Sequence, residues 1–131
     1  MNIAKCILTV LIVVICTSSK ATPTPEIEKA VISEHKTYQD FKETFMFLIA
    51  KLAENTGNDS QQDEVIDAHW ACVHQNQIVK MFNNNQKYRK QFDQEFAKEY
   101  TTFDDTLKGF QKSVLETKSV CAEMKTAYDK I

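Results

Sequence analysis

The side chains best suited to chemistry in this 131-residue chain are two histidines and two cysteines: His69, His74, Cys72 and Cys121. Imidazole and thiolate groups are the ligands that zinc prefers in proteins. At about 100° per helical residue, Cys72 and His74 point about 160° apart, so they cannot converge with His69 on one ion. A His69, Cys72 and Cys121 site is the remaining arrangement, and it requires reduced thiols. We therefore predict no metal site if the thiols are oxidised.

The redox state of Cys72 and Cys121 depends on whether the protein is secreted. The first 21 residues have the composition of a secretory signal peptide. Lys5 supplies a basic start, residues 6–16 form an apolar run of eleven, and Ser19-Lys20-Ala21 places small residues where signal peptidase cleaves. A retained membrane anchor is the alternative, but eleven residues rise only about 16 Å as a helix, about half the hydrocarbon thickness. We predict cleavage after Ala21 and an extracellular protein, residues 22–131, that does not stay inserted in a membrane.

Cleavage would remove Cys6 and Cys16 and leave Cys72 and Cys121 as an even pair in an oxidising compartment. We predict one disulfide between helices, joining these two residues. On the chain-entropy model, closing a loop of about fifty residues contributes about 4 kcal/mol.

Asn58 begins an Asn-Asp-Ser tripeptide that fits the acceptor pattern for N-glycosylation. It lies in residues 55–60, the stretch of the mature chain most typical of a loop. We predict a glycan on Asn58 if the chain passes through a eukaryotic secretory pathway.

The sequence contains no motif that assembles a catalytic site. The mature chain has no Gly-rich phosphate loop, no G-x-S-x-G and no H-E-x-x-H. Acidic pairs such as Asp63-Glu64 and Asp104-Asp105 are explained by helix N-termini, where negative charge is favourable. The formal net charge of −2 does not favour nucleic acid as a partner. We predict a protein that is not an enzyme and needs no cofactor.

Aromatic residues at helical spacing form the largest group with a functional interpretation. They either fill a core or line a cavity for an apolar ligand. A filled core favours a secreted interaction or modulatory protein that binds an extracellular macromolecule, which is our prediction. A cavity favours the alternative, an extracellular carrier of a lipid or other small apolar molecule. The candidate ligand-lining residues are Phe41, Phe45, Trp70, Phe92, Phe96, Tyr100, Phe103 and Phe110.

The segments that must position these residues are helical. Between residues 88 and 131, nearly every third or fourth residue is apolar or aromatic, with Thr117 as the exception. Earlier segments show the same periodicity, and the low content of Gly and Pro argues against a turn-rich β-protein. We predict a single all-α domain, a small antiparallel bundle of three or four helices.

We expect the first helix over about residues 25–54, with Pro25 at its first position and Phe47 widening its apolar face. The second begins at a cap on Ser60 and ends at Asn83-Asn84-Asn85.

As one straight helix, residues 88–131 would span about 66 Å, too long for a compact domain of this size. We predict a break at Thr101-Thr102, with Gly109 as the second candidate, and hence helices over about 86–100 and 103–130. A three-helix bundle with one long curved helix is the alternative.

Overall fold

The structure is a computed structural model that describes residues 25–54 and 60–131, and these ranges contain six α-helices and no strand. The all-α prediction is confirmed for this part of the chain, whereas the predicted number of helices is too low. The predicted signal peptide and Asn58 lie outside the described residues. The helices are α1 (Pro25–Ile32), α2 (Tyr38–Ala53), α3 (Gln61–Asn84), α4 (Arg89–Phe96), α5 (Phe103–Glu116) and α6 (Lys118–Tyr128), with a 3₁₀ turn (Gln86–Tyr88) before α4.

Helix α3 is the central element, because α1, α2, α5 and α6 all pack against it. Its 24 residues span about 36 Å, so its two ends can pack against different helices of the chain. Four of its five buried residues lie near its C-terminal end, at Gln77, Ile78, Met81 and Phe82, and Ile66 is the fifth. Most of the α3 contribution to the core therefore comes from one end of the helix.

Three helices begin at a Ser or Thr that is followed three positions later by Asp. In each case the hydroxyl oxygen accepts a hydrogen bond of 3.1 Å from the backbone N–H of that Asp. Each cap of this kind typically contributes about 1 kcal/mol to the stability of its helix. The predicted cap at Ser60 and the predicted break at Thr101-Thr102 are confirmed. The capping pairs are Thr37 with Asp40, Ser60 with Asp63 and Thr102 with Asp105.

The predicted helix over residues 25–54 is wrong, because the chain leaves the helical conformation between α1 and α2. Pro25 begins α1 as expected, but residues 33–37 form an irregular connection. Thr37 has extended backbone angles and starts α2 as its N-cap. The cap directs the chain into a new helix, and the apolar periodicity continues across the break.

The connection is held in place by Asn85, which follows α3 and is fully buried. Its side-chain oxygen accepts from the N–H of His35 at 2.7 Å, and its amide donates to the carbonyls of Ser33 at 2.9 Å and Met81 at 2.7 Å. The Tyr88 hydroxyl donates to the His35 carbonyl at 2.8 Å. Backbone groups that a continuous helix would satisfy internally are thus satisfied by side chains from elsewhere.

The predicted helix over residues 86–100 is also shorter than expected. It consists of the 3₁₀ turn, α4 and a turn over residues 97–100. The turn closes because the Phe96 carbonyl accepts from the N–H groups of Tyr100 at 2.9 Å and Thr101 at 3.2 Å. Asp93 then accepts from the N–H of Phe103 at 2.6 Å, which ties the start of α5 back to α4.

The predicted helix over residues 103–130 is divided into α5 and α6 at Thr117, the one polar position of the apolar stripe. The Thr117 hydroxyl donates to the carbonyl of Ser113 at 2.8 Å, a back-bond that tends to bend helices. Backbone bonds from Thr117 to Ser113 and from Cys121 to Thr117 continue across the junction, so the chain does not reverse direction there. Helix α5 runs through Gly109 without a break.

The predicted disulfide is confirmed. Cys72 on α3 and Cys121 on α6 are joined, with an S–S distance of 2.05 Å and a Cα–Cα distance of 5.8 Å. Every residue of α6 is described, and none of them is buried. The bridge therefore joins α3 to a helix that is attached otherwise only through half-buried side chains. No helix in the described ranges is long and apolar enough to cross a membrane.

Candidate functional site

The centre of the fold is a ring cluster that we define as Phe41, Phe45, Phe82, Phe92 and Phe103, all of them buried. Ring centroids lie 4.6 Å apart for Phe82 and Phe103, and 5.1 Å apart for Phe45 and Phe82. Aromatic pairs at such separations attract one another beyond the burial of their surface. The members of the cluster fill the space between α2, α3, α4 and α5 by contact with one another.

The remaining candidate ligand-lining residues lie outside this cluster. Phe96 is half-buried at its margin, with its centroid 4.7 Å from that of Phe92, and Phe110 is half-buried against it. Tyr100 is 77% exposed. Trp70 belongs to a second group of rings between α3 and α6. The structure thus brings four of the eight candidates together and leaves the other four at the margin or elsewhere.

A polar network closes the rim of the ring cluster between α2 and α4. The Tyr38 hydroxyl donates to one carboxylate oxygen of Glu95 at 2.7 Å, and the Lys42 ammonium donates to the other at 2.9 Å. Burial, together with the Glu95 carboxylate, raises the pKa of Tyr38. The hydrogen bonds from Tyr38 and Lys42 lower the pKa of Glu95. Both shifts favour a neutral phenol that donates to an ionised carboxylate.

The second group of rings, which we call the ring stack, joins α3 to α6 beside the disulfide. His69 lies nearly parallel to Tyr128 with centroids 4.1 Å apart, and Trp70 meets Tyr128 edge-on at 6.1 Å. Burial lowers the pKa of His69; the Asp129 carboxylate opposes this effect, and Lys125 adds to it. Burial therefore favours the neutral form of the His69 imidazole.

The ring stack does not form a metal centre with its neighbours. Across residues 25–54 and 60–131, no group of three His, Cys, Asp or Glu side chains is placed to hold an ion. Cys72 and Cys121 form the disulfide, so neither supplies a thiolate ligand. The Nδ1 atom of His74 lies 2.9 Å from the side-chain oxygen of Gln77, within hydrogen-bond distance.

Two shallow, open depressions run along α6. One, of about 520 Å³, is lined by Ala122, Glu123, Thr126, Ala127 and Lys130. The other, of about 430 Å³, shares Ala127 and Lys130 and continues towards the start of α3. None of the eight candidate ligand-lining residues lines either depression.

The clearest exposed apolar surface is the α2 outer face, which we define as Met46, Phe47, Ala50 and Ala53. Met46 is 49% exposed and Phe47 is 53% exposed, and both alanines are exposed. The expectation that Phe47 widens the inward face is wrong, because Phe47 lies about 160° around the helix from Phe45. The Lys51 ammonium lies 5.7 Å from the centroid of the Phe47 ring.

Comparison with known proteins assigns no family to this chain. It matches no protein-family model, and no curated protein or solved structure was found to match it.

Proposed function

We propose that this chain is a small secreted helical protein that acts as an extracellular interaction or modulatory factor and is not an enzyme. It binds another macromolecule through the α2 outer face. The observation that carries the proposal is the exposure of Met46 and Phe47, neighbours on a helix whose opposite face is fixed in the core.

Single exposed apolar residues are normal, but adjacent large ones on one face mark an interaction surface more strongly. Aromatic residues and Met are enriched in the buried centres of protein interfaces. Phe41, Phe45 and Leu48 anchor the other side of α2 in the core. The face is therefore held in place before binding, which reduces the entropy lost on association.

The charges around this face define the chemistry of the partner. Asp40 and Glu43 are exposed near one end of the face. Near the other end, Lys51 forms an ion pair of 2.9 Å with Glu54, which offsets its positive charge. A partner with an apolar patch rimmed by basic side chains would complement this surface.

Two features support the interaction protein over the carrier of apolar ligands. The members of the ring cluster are in contact with one another, so the centre of the core is occupied by side chains. The two depressions along α6 are open and partly lined by charged and polar residues, whereas carrier sites are enclosed and mostly apolar.

Secretion is supported by the sequence of the first 21 residues and by the disulfide, which persists in oxidising compartments. Native mass spectrometry of protein purified from its own source tests this part of the proposal. We expect a mature chain that begins at Thr22, a glycan on Asn58 and no retained apolar ligand. A chain that begins at Met1 would contradict secretion, and a stoichiometric lipid would favour the carrier.

Binding is tested with Phe47→Glu on the disulfide-bonded protein, labelled and added to cells from the source tissue. Leu115→Glu is the matched control, because Leu115 is another large exposed apolar residue and lies on α5. We expect saturable binding by the wild type and the control, and its loss in Phe47→Glu. Equal binding by all three proteins would remove the α2 outer face from the proposal.

A further inference from the structure

We propose that α6 is the contact helix of a symmetric dimer formed with a second copy of this chain. The surface concerned is the α6 outer face, which we define as Ala122, Glu123, Thr126, Ala127 and Lys130, the residues that line the larger depression. All of them are exposed except Ala127, which is half-buried. The proposal uses a different helix from the α2 outer face and does not depend on the proposed function.

The spacing of two opposite charges makes this face complementary to itself. Glu123 and Lys130 are seven residues apart, so they lie almost on one line along the helix, about 10 Å apart. Lys130 lies two residues beyond the end of α6 at Tyr128, and its N–H donates to the Ala127 carbonyl at 3.2 Å, which continues the turn. If two copies of α6 pack antiparallel, each Glu123 meets Lys130 of the other copy, giving two ion pairs. A parallel arrangement in register would instead place like charges together.

The residues around the symmetry axis allow close approach. The axis passes between Thr126 and Ala127, whose small side chains let two helices approach to about 8 Å.

The two charges are also available for a partner. Lys125 pairs with Asp129 at 2.5 Å, and Lys112 pairs with Glu116 at 3.7 Å. By contrast, neither Glu123 nor Lys130 forms an ion pair with any other residue in ranges 25–54 and 60–131. Their interaction with a second copy would therefore break no ion pair within the monomer.

An interface made of one helix face from each copy is smaller than the standard area of about 1,600 Å². We therefore expect a weak, reversible dimer that forms at high protein concentration and weakens as salt is added.

Sedimentation velocity over a concentration series tests the proposal on the mature, disulfide-bonded chain. Glu123→Lys would place two ammonium groups opposite each other at each end of the interface, and Lys130→Glu would oppose two carboxylates. We expect each single variant to dimerise at least about tenfold more weakly than the wild type. A mixture of the two variants should associate again, because one protomer then carries only ammonium groups at these positions and the other only carboxylates. The double variant should dimerise by itself.

Lys112→Glu is the control, because this exposed lysine lies on α5 and outside the α6 outer face. It should dimerise like the wild type, and circular dichroism should show the same helix content for all variants. A wild type that stays monomeric throughout would overturn the proposal. So would a dimer that tolerates both single variants, or a mixture of them that does not associate.

Discussion

The two ends of helix α3 are stabilised by different physical means. At its C-terminal end, α2, α4 and the start of α5 surround a cluster of buried aromatic rings. At its N-terminal end, α6 contributes no buried residue, and the disulfide and the half-buried ring stack attach it. We call these the aromatic half and the disulfide half.

The difference shows how a short chain divides its stabilising interactions. A domain of this size buries a limited fraction of its surface, and its apolar residues cannot make two complete cores. Each fully buried Phe contributes about 1.5–3 kcal/mol from the removal of its surface from water. In the disulfide half, a covalent link restricts the unfolded chain and compensates for the missing burial.

The largest effect should come from opening the aromatic half. Phe82 is fully buried and contacts Phe41, Phe45, Phe92 and Phe103. We expect Phe82→Ala to lower the free energy of unfolding by about 3–5 kcal/mol, because it leaves a cavity at the centre of the cluster. Urea denaturation measures the change.

Phe110→Ala is the control for that experiment, because Phe110 is half-buried at the margin of the cluster. It should cost clearly less stability than Phe82→Ala. Equal losses would mean that Phe110 at the margin is packed as tightly as Phe82 at the centre. That result would contradict a core concentrated in the ring cluster.

The next effect should come from removing the covalent link of the disulfide half. We expect Cys72→Ala combined with Cys121→Ala to lower the free energy of unfolding by about 2–4 kcal/mol. Hydrogen exchange should then accelerate in α6 (Lys118–Tyr128) more than in α2 (Tyr38–Ala53), because α6 has no buried residue. Val120→Ala on the exposed side of α6 should leave both rates unchanged. Uniform acceleration across both helices would indicate that the two halves open together.

A smaller effect should come from the buried polar residue of the aromatic half. We expect Asn85→Ala to cost about 1–3 kcal/mol, because the N–H of His35 and the carbonyl of Ser33 lose their partner. Asn84→Ala is the matched control, since Asn84 is exposed and its one side-chain bond, to the Ile32 carbonyl, is replaceable by water. If both variants cost the same in urea denaturation, the connection between α1 and α2 does not depend on Asn85.

The smallest effect should be a pH dependence that arises in the disulfide half. Burial lowers the pKa of His69 in the folded protein, so the unfolded chain takes up the proton at higher pH. This contribution to stability is complete above about pH 6.5 and is lost as the pH falls below that value towards the folded pKa. His69→Gln should flatten the dependence of the denaturation midpoint on pH, and Asn76→Ala on the exposed side of α3 should not. An unchanged slope in His69→Gln would assign the dependence to other groups.

Periodicity predicts the class of fold correctly, and two capping signatures predict helix starts correctly. Ser60 and Thr102 each stand three residues before an Asp, and both begin helices. Thr37 stands in the same relation to Asp40, but it lies within a continuous apolar periodicity that predicts helix interior. The local cap outweighs the periodicity there, so the signal for this break is present in the sequence.

Other features depend on residues that are far apart in the chain. Asn85 bonds to residues about fifty positions earlier, and nothing local distinguishes it from Asn83 and Asn84. The cysteine pair is predictable, because the predicted signal-peptide cleavage leaves two cysteines and implies an oxidising compartment. The exposure of Phe47 is predictable only from its angle to Phe45, whereas the separation of Trp70 from the ring cluster requires the three-dimensional structure.

The disulfide also makes the segment between its two cysteines a closed covalent ring, which contains α4 and α5. The turn over residues 97–100 lies within this ring and exposes Tyr100, a natural cleavage position for a protease that selects aromatic residues. A molecule nicked there would remain a two-chain species, with its fragments joined through sulfur and migrating together on a non-reducing gel. While the molecule is folded, the packing of Phe103 and Leu107 in the core would also hold the two pieces together, so a reductant would separate them only once the fold is opened.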